Sequence, residues 1–281
     1  MKPTLEIGHR TDVGRRREHN EDYLSIHVPD LEEQIDSRGT LLMVADGMGG
    51  HAAGEIASRT AIAAVLDSYY GDLSGGVEEA LSRALHTANR AVIDEAGRSY
   101  ERAGMGTTLA AAAVHNGDLV VANVGDSRVY LIRDGGIVQL SRDHSWIAEA
   151  LAAGRINPED ARRHPWRNVV TRSLGGGLEL EVDVYPPRRL HLGDIILVCS
   201  DGLWGMVPSE RILQIVESRS AQAAADGLVS AANEAGGHDN ITAIVCRIAA
   251  TAAQEETEQT LQPEPVRFQD AARRSPESWH Q

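Results

Sequence analysis

Five aspartates stand either where an apolar run stops or inside a short polar motif, and their type and placement suit them to chemistry. Leu41 to Ala45 runs into Asp46-Gly47-Met48-Gly49-Gly50-His51, Val120 to Val124 into Gly125-Asp126, and Ile195 to Cys199 into Ser200-Asp201-Gly202. Asp22 closes Asn20-Glu21-Asp22, and Asp239 lies in Gly236-Gly237-His238-Asp239-Asn240. An apolar run bounded by glycine reads as a buried strand, and a carboxylate at its end can face a cleft. Glycines without Cβ atoms let a carbonyl or an ion come close. Asp-Gly alone is equally a hairpin signal; the recurrence of the pattern is what favours a gathered cluster. Five carboxylates on one rim would repel one another and retain protons unless cations neutralise them. Hard divalent ions with oxygen ligands, Mg²⁺ or Mn²⁺, suit such a set.

The elements that must position these acids can be read from hydrophobic pattern. Residues 5–12 and 22–28 read as strands, with a basic knot, Arg15-Arg16-Arg17, in the turn between them. Such a knot is ordinarily a solvated loop; beside a candidate metal acid it offers a phosphate-binding arginine. Residues 52–70 and 76–101 read as two successive helices, the second with apolar residues at three-four spacing from Val77 to Ile93. Strands follow at about 107–115, 118–125, 127–133 and 136–141, joined by Asn-Gly-Asp, Gly-Asp-Ser and Asp-Gly-Gly turns, an antiparallel meander. Residues 144–167 are polar, broken by Pro158 and Pro165, and read as short helical pieces on a mobile surface segment. Strands are predicted at 168–173, 181–185, 194–200 and 241–248, with helices at 208–217 and 219–235 capped at Ser209 and Ser218. From residue 249 the pattern fails, and 249–281 reads as a disordered acidic tail. Long runs of strand with two blocks of paired helices predict an α+β fold: a four-layer α/β/β/α sandwich of two mostly antiparallel sheets flanked by helices.

Composition narrows the function. The chain has 281 residues, a formal net charge of −14, one lysine (Lys2) and one phenylalanine (Phe268), so the core must be aliphatic. An acidic surface argues against nucleic-acid binding. Cys199 and Cys246 each lie in an apolar run and read as buried, reduced thiols. Without a leader or an apolar run of membrane-spanning length, the expectation is a soluble cytoplasmic protein. Gly47 to Gly50 is not followed by Gly-Lys-Ser/Thr and is no P-loop. Six residues after Cys199 stands Gly205, where a thiol phosphatase needs arginine. Neither a nucleophile elbow nor an Asp-x-Asp-x-Thr motif is present, which leaves metal-activated water as the chemistry.

These residues resemble a known family, the metal-dependent protein phosphatases of type 2C (PPM family), in particular its bacterial members. The resemblance rests on Arg17-Glu18-His19-Asn20-Glu21-Asp22, Asp46-Gly47-Met48-Gly49-Gly50-His51, Gly104-Met105-Gly106-Thr107-Thr108, Gly125-Asp126-Ser127-Arg128, Asp143-His144-Ser145, Ser200-Asp201-Gly202-Leu203 and Asp239-Asn240-Ile241-Thr242. The blocks fall in the family's order and make 1–248 a catalytic domain with a flap at about 144–167. The resemblance implies that Asp46 bridges two ions and the Gly47 carbonyl binds the first. It implies that Asp201 and Asp239 complete the second, and that a third, weaker ion is held by Asp126 with Asp201. Asp22 and Glu21 would hold or orient water ligands, Asn240 would support the site, and Arg17 would grip the substrate phosphate with its guanidinium fork. The implied reaction is hydrolysis of phosphoserine or phosphothreonine by a metal-bridging hydroxide, in a monomer whose partners are phosphoproteins and a bacterial Ser/Thr kinase. Met48 stands where animal members carry a proposed general-acid histidine; His51 is either a substitute for it or a cap on the following helix. The alternatives are a turnover-dead phosphoprotein-binding module, which should have lost a metal acid, and an enzyme of this family dedicated to one regulator.

Overall fold

A computed structural model of the chain describes residues 4–49, 52–161 and 164–249. The candidate His51, and all of the predicted tail beyond Ala249, lie outside them. In chain order come β1 (Thr4–Asp12), β2 (Asp22–His27), α1 (Glu32–Ser37), β3 (Thr40–Met48), α2 (Ala53–Gly71) and α3 (Val77–Ala96). The meander follows: β4 (Gly106–Thr107), β5 (Leu109–His115), β6 (Asp118–Val124), β7 (Arg128–Arg133) and β8 (Gly136–Gln139). Then come α4 (Trp146–Ala152), α5 (Pro158–Ala161), β9 (Asp183–Arg189), β10 (Ile195–Cys199), α6 (Asp201–Trp204), α7 (Ser209–Glu217), α8 (Ala221–Glu234) and β11 (Ile241–Ala249).

Two antiparallel sheets face each other. One has the order β1-β11-β10-β7-β8; the other has β2-β3-β5-β6-β9, with β4 paired to β3. Because successive side chains on a strand point to opposite faces, a strand buried on both sides must be apolar throughout. In β3, Leu41, Met43 and Ala45 pack beneath α2 and α3, whereas Leu42 and Val44 pack between the sheets. Leu197 and Val245 likewise pack under α7 and α8, with Ile196 and Ile244 turned to the inter-sheet layer. Three aliphatic layers thus separate four structural ones. Each buried Leu, Ile or Val contributes roughly 1.5–3 kcal/mol. Cys199 and Cys246 are free and buried.

The register sets the rim. Asp22 and Asp46 are directly paired across β2 and β3. In the other sheet Cys199 pairs with Ala243, so Asp201, just past β10, and Asp239, just before β11, leave the ladder at one edge. Thr40, at the start of β3, lies at the other end, where Arg38 is buried with its guanidinium among five main-chain carbonyls: Ser37, Tyr69, Asp72, Ser74 and Gly75.

Some elements differ from the sequence reading. Residues 168–173 are not a strand; only Val170 bridges, to Ser145. The expected 181–185 strand continues through Pro186 and Pro187 to Arg189. Proline is tolerated there because β9 is an edge strand. The second long helix stops at Ala96, and Tyr100–Arg102 forms a separate 3₁₀ turn. Pro208, not Ser209, precedes the first residue of α7, and the α8 cap is Ser220, whose side chain accepts from Ala223 N–H. The segments α1 and α6 were not anticipated. Each is a turn or so long, too short to show periodicity.

Candidate active site

Asp46 is held from behind by the Gly104 to Thr108 motif. Thr107 Oγ1 and Thr108 N–H both donate to the Asp46 carbonyl at 2.9 Å, and the Asp46 N–H donates to Thr108 Oγ1 at 3.1 Å. Thr108 Oγ1 is fixed in turn by Ser127 Oγ at 2.7 Å. The Asp46 side chain is thereby left to point along the rim. Gly47 must be glycine: a Cβ there would lie 2.1 Å from the Gly54 carbonyl oxygen and 2.7 Å from that of Glu21.

Asp22 joins the two sheets. Its Oδ2 accepts from Ser200 Oγ and from Thr242 Oγ1, both at 2.7 Å and both from the opposite sheet's strands or their ends. Its Oδ1 is buried without a partner, as is Oδ1 of Asp201. Burial raises the Asp22 carboxyl to about 7, with Asp201 and Asp239 adding to the rise against the two hydroxyls. Burial and then Asp239 raise Asp201 to about 6. Asp126 is raised to about 8 by burial and then by Asp201 and Asp143. Asp46 is raised by burial, followed by Asp22, Asp201, Asp126 and Asp239. The structure therefore brings the other four predicted aspartates within electrostatic reach of Asp46.

The arginine knot crosses this rim. Arg15 N–H donates to the Gly237 carbonyl at 2.7 Å. Gly14, at φ +83°, passes so close to the Asp239 carbonyl that a Cβ would lie 2.2 Å from it. Arg17 Nη2 reaches Asp239 Oδ2 at 2.7 Å while the side chain stays 49% exposed. That bond raises the Arg17 pKa, leaving a permanent cation at the mouth whose other N–H groups bond to none of the described residues. Asn240 ties the knot to β11: its amide donates to the carbonyls of Val13 and His19, and its Oδ1 accepts the Glu21 N–H at 2.8 Å. The Glu21 carboxylate, raised by burial, lies against Gly54 in the first turn of α2, while its carbonyl accepts from Gly47 N–H and Ser58 Oγ. Glu21 and Asn240 thus act on the backbone around the acids.

Ser200, Thr242 and Thr108 escaped sequence reasoning as individual residues. The available signal was adjacency: Ser200 precedes Asp201, and Thr242 follows Asn240 by one strand repeat. Among the described residues no three His, Cys, Asp or Glu side chains form a closed metal cage. The acids nevertheless suit a hard divalent ion. They are all oxygen donors, mutually repelling, with two orphaned buried oxygens, and such ions keep several water ligands.

Comparison with known proteins agrees with this geometry. Residues 10–151 match the protein phosphatase 2C family. The chain is 39% identical over 241 residues to the serine/threonine phosphatase stp of Listeria welshimeri, covering 84% of this chain and 93% of that one. It is 39% identical over 243 residues to protein phosphatase PhpP of Streptococcus pneumoniae, covering 85% and 95%. Among solved structures, the Mycobacterium tuberculosis serine/threonine phosphatase PstP/Ppp superposes with a TM-score of 0.77 at 36% identity, covering 87% of this chain and 99% of that one. A catalytic domain of the phosphatase PstP in complex with two manganese ions superposes with a TM-score of 0.75 at 35% identity, covering 87% and 98%. A double antiparallel sandwich flanked by helices, with an aspartate rim at one end, defines the metal-dependent protein phosphatases. The chain belongs to the protein phosphatase 2C family.

Proposed function

We propose that this chain hydrolyses phosphoserine and phosphothreonine in proteins, as a monomer in the cytoplasm, with Mn²⁺ or Mg²⁺ as cofactor and in opposition to a Ser/Thr kinase. One observation carries the reading: buried aspartates with unpartnered oxygens lie beside an exposed arginine on a single rim. Asp46, the Gly47 carbonyl, Asp201 and Asp239 would hold two ions. Asp22 would orient their water ligands, and Asp126 with Asp201 would take a third. Bound divalent ions supply positive charge that favours ionisation of a water and offsets charge on the phosphoryl oxygens.

The chain's own residues do the rest. Arg17 keeps one N–H on Asp239 and presents the others to the phosphoryl oxygens, where a planar fork fixes orientation as well as charge. Its ion pair also places the phosphate next to the acids, so proximity is built into the ground state. Thr107, Thr108 and Ser127 hold Asp46 rigid, and Ser200 and Thr242 do the same for Asp22. The cluster therefore needs little reorganisation when charge changes. The test is hydrolysis of p-nitrophenyl phosphate and of phosphoserine and phosphothreonine peptides across Mn²⁺ and Mg²⁺ titrations. Turnover should need the metal, vanish in EDTA, ignore okadaic acid and be lost in Asp46→Ala. Metal-independent turnover, or an active Asp46→Ala variant, overturns the reading.

A further inference from the structure

Asp126 and Asp201 come from different elements, a turn between β6 and β7 and the residue after β10. A single side chain spans the two. Trp204 closes α6, one helical turn after Asp201, and its Nε1–H donates to the Asp126 carbonyl at 3.0 Å. The indole is itself clamped. The Arg128 guanidinium lies over its ring at 3.5 Å, a separation at which cation and π face attract. Arg128 is held by a two-pronged bond to Asp143, Nε at 2.9 Å and Nη2 at 2.6 Å, and its Nη1 donates to Tyr130 OH at 2.8 Å. The rest of the Asp126 turn is tied mainly at Gly125, whose carbonyl accepts from His144 N–H and Asn123 Nδ2 and whose N–H donates to His144 Nδ1. Asp126 itself depends on the indole.

We infer that Trp204 is a positioning residue. The Asp143–Arg128–Trp204 stack sets the separation of Asp126 from Asp201, and with it the affinity of the weak third cation held between them. The inference rests on the proposed metal reading and goes beyond it. The β10–β7 ladder joins the two turns at their bases, where Cys199 pairs with Arg128; beyond the ladder, among the described residues, the Trp204 indole bonds from the Asp201 turn to the Asp126 turn. Trp204 touches no reacting group, so its effect must appear in metal affinity rather than in the chemical step.

The experiment is a Mn²⁺ titration of the full chain, with free Mn²⁺ read by electron paramagnetic resonance, which counts binding events without turnover. Trp204→Phe keeps the aromatic face under Arg128 and removes the donor. It should weaken the weakest Mn²⁺ event about tenfold, the size of one hydrogen bond, with the tighter events unchanged. Arg128→Met, which frees the indole but leaves its N–H, should weaken the same event by less. Asp126→Asn should abolish that event in either background. An unchanged weak event in Trp204→Phe overturns the inference, as does equal weakening of all events, which would mark a merely structural role. A parent protein with only two events, or an Asp126→Asn variant that keeps the third, overturns it by removing the third site while leaving the proposed hydrolysis intact. A parent that binds no Mn²⁺ removes both.

Discussion

Replacing Asp22 with asparagine should stabilise the metal-free protein while weakening its response to metal. Asp22 is 5% exposed, and its carboxyl sits at about 7 in the fold against 3.8 in the unfolded chain. At about 1.4 kcal/mol per pH unit this is a penalty of about 4 kcal/mol. The sign follows from proton binding. Below about pH 4 both states hold the proton and the penalty is absent. Between 4 and 7 only the folded state holds it, so stability falls as pH rises, and above 7 the full penalty applies. The amide stays neutral, its oxygen can accept from Ser200 and Thr242 as Oδ2 does, and its NH₂ replaces the orphaned Oδ1. In EDTA at pH 8 the variant should therefore melt up to about 8–16 °C higher, since 1 kcal/mol shifts a domain of this size by about 2–4 °C. At pH 4 the two should nearly coincide. Saturating Mn²⁺ should reverse the order, because an ion bound only to the native state stabilises the parent more. Calorimetry at the two pH values, with and without Mn²⁺, checks this. A variant that is no more stable at pH 8, or one whose advantage is the same at pH 4, refutes the electrostatic account of the rim.

Arg17→Ala should lower kcat/KM for phosphopeptides by about 10–100-fold, the worth of a charged hydrogen-bonding group. Arg17→Lys should recover only part of this, because the fork is lost; steady-state kinetics decide. Arg38→Met removes five donors from main-chain carbonyls at the end away from the rim. A melting temperature lower by about 6–12 °C, equivalent to about 3 kcal/mol, with kcat unchanged, is expected from calorimetry and assay together. Thr108→Val strands the Asp46 N–H and Ser127 Oγ, and isothermal titration should show weaker Mn²⁺ binding with a stability loss of about 1–3 kcal/mol.

Asp46, Asp126 and Asp201 were legible because each follows an apolar run, and a strand buried on both faces leaves no other place for charge; Asp22 and Asp239 were legible only from short polar motifs. The four layers were legible for the same reason: Leu41 to Ala45 and Ile195 to Cys199 are apolar at every position, which only double burial explains. What the sequence hid were contacts between distant segments. Nothing near Asp22 announces that Ser200 and Thr242 will meet its carboxylate, because those hydroxyls arrive only when the sheets stack. Residues 168–173 misled for a related reason. Val169 and Val170 are β-branched, but no neighbouring strand extends beside them, and propensity without a partner gives one bridge instead of a ladder. His51 and the tail 249–281, apart from Ala249, fall outside the described residues.

The aliphatic core has a practical corollary for how unfolding is watched. Of the four tryptophans, Trp146 and Trp166 pack edge-to-face at 4.9 Å in the segment between β8 and β9, with His164 stacked on Trp146. Trp204 lies under Arg128 beside the acids, and Trp279 belongs to the tail. Among the described tryptophans, Trp204 alone packs against a buried layer, the one under α7 and α8. Intrinsic emission is therefore weighted to one end of the molecule: it will register disturbance of the rim, its neighbouring segment and the adjoining margin of the layer under α7 and α8, and much less of the layer under α2 and α3. A denaturation curve drawn from it measures the loss of the working end, which differs from the loss of the fold wherever the two melt apart.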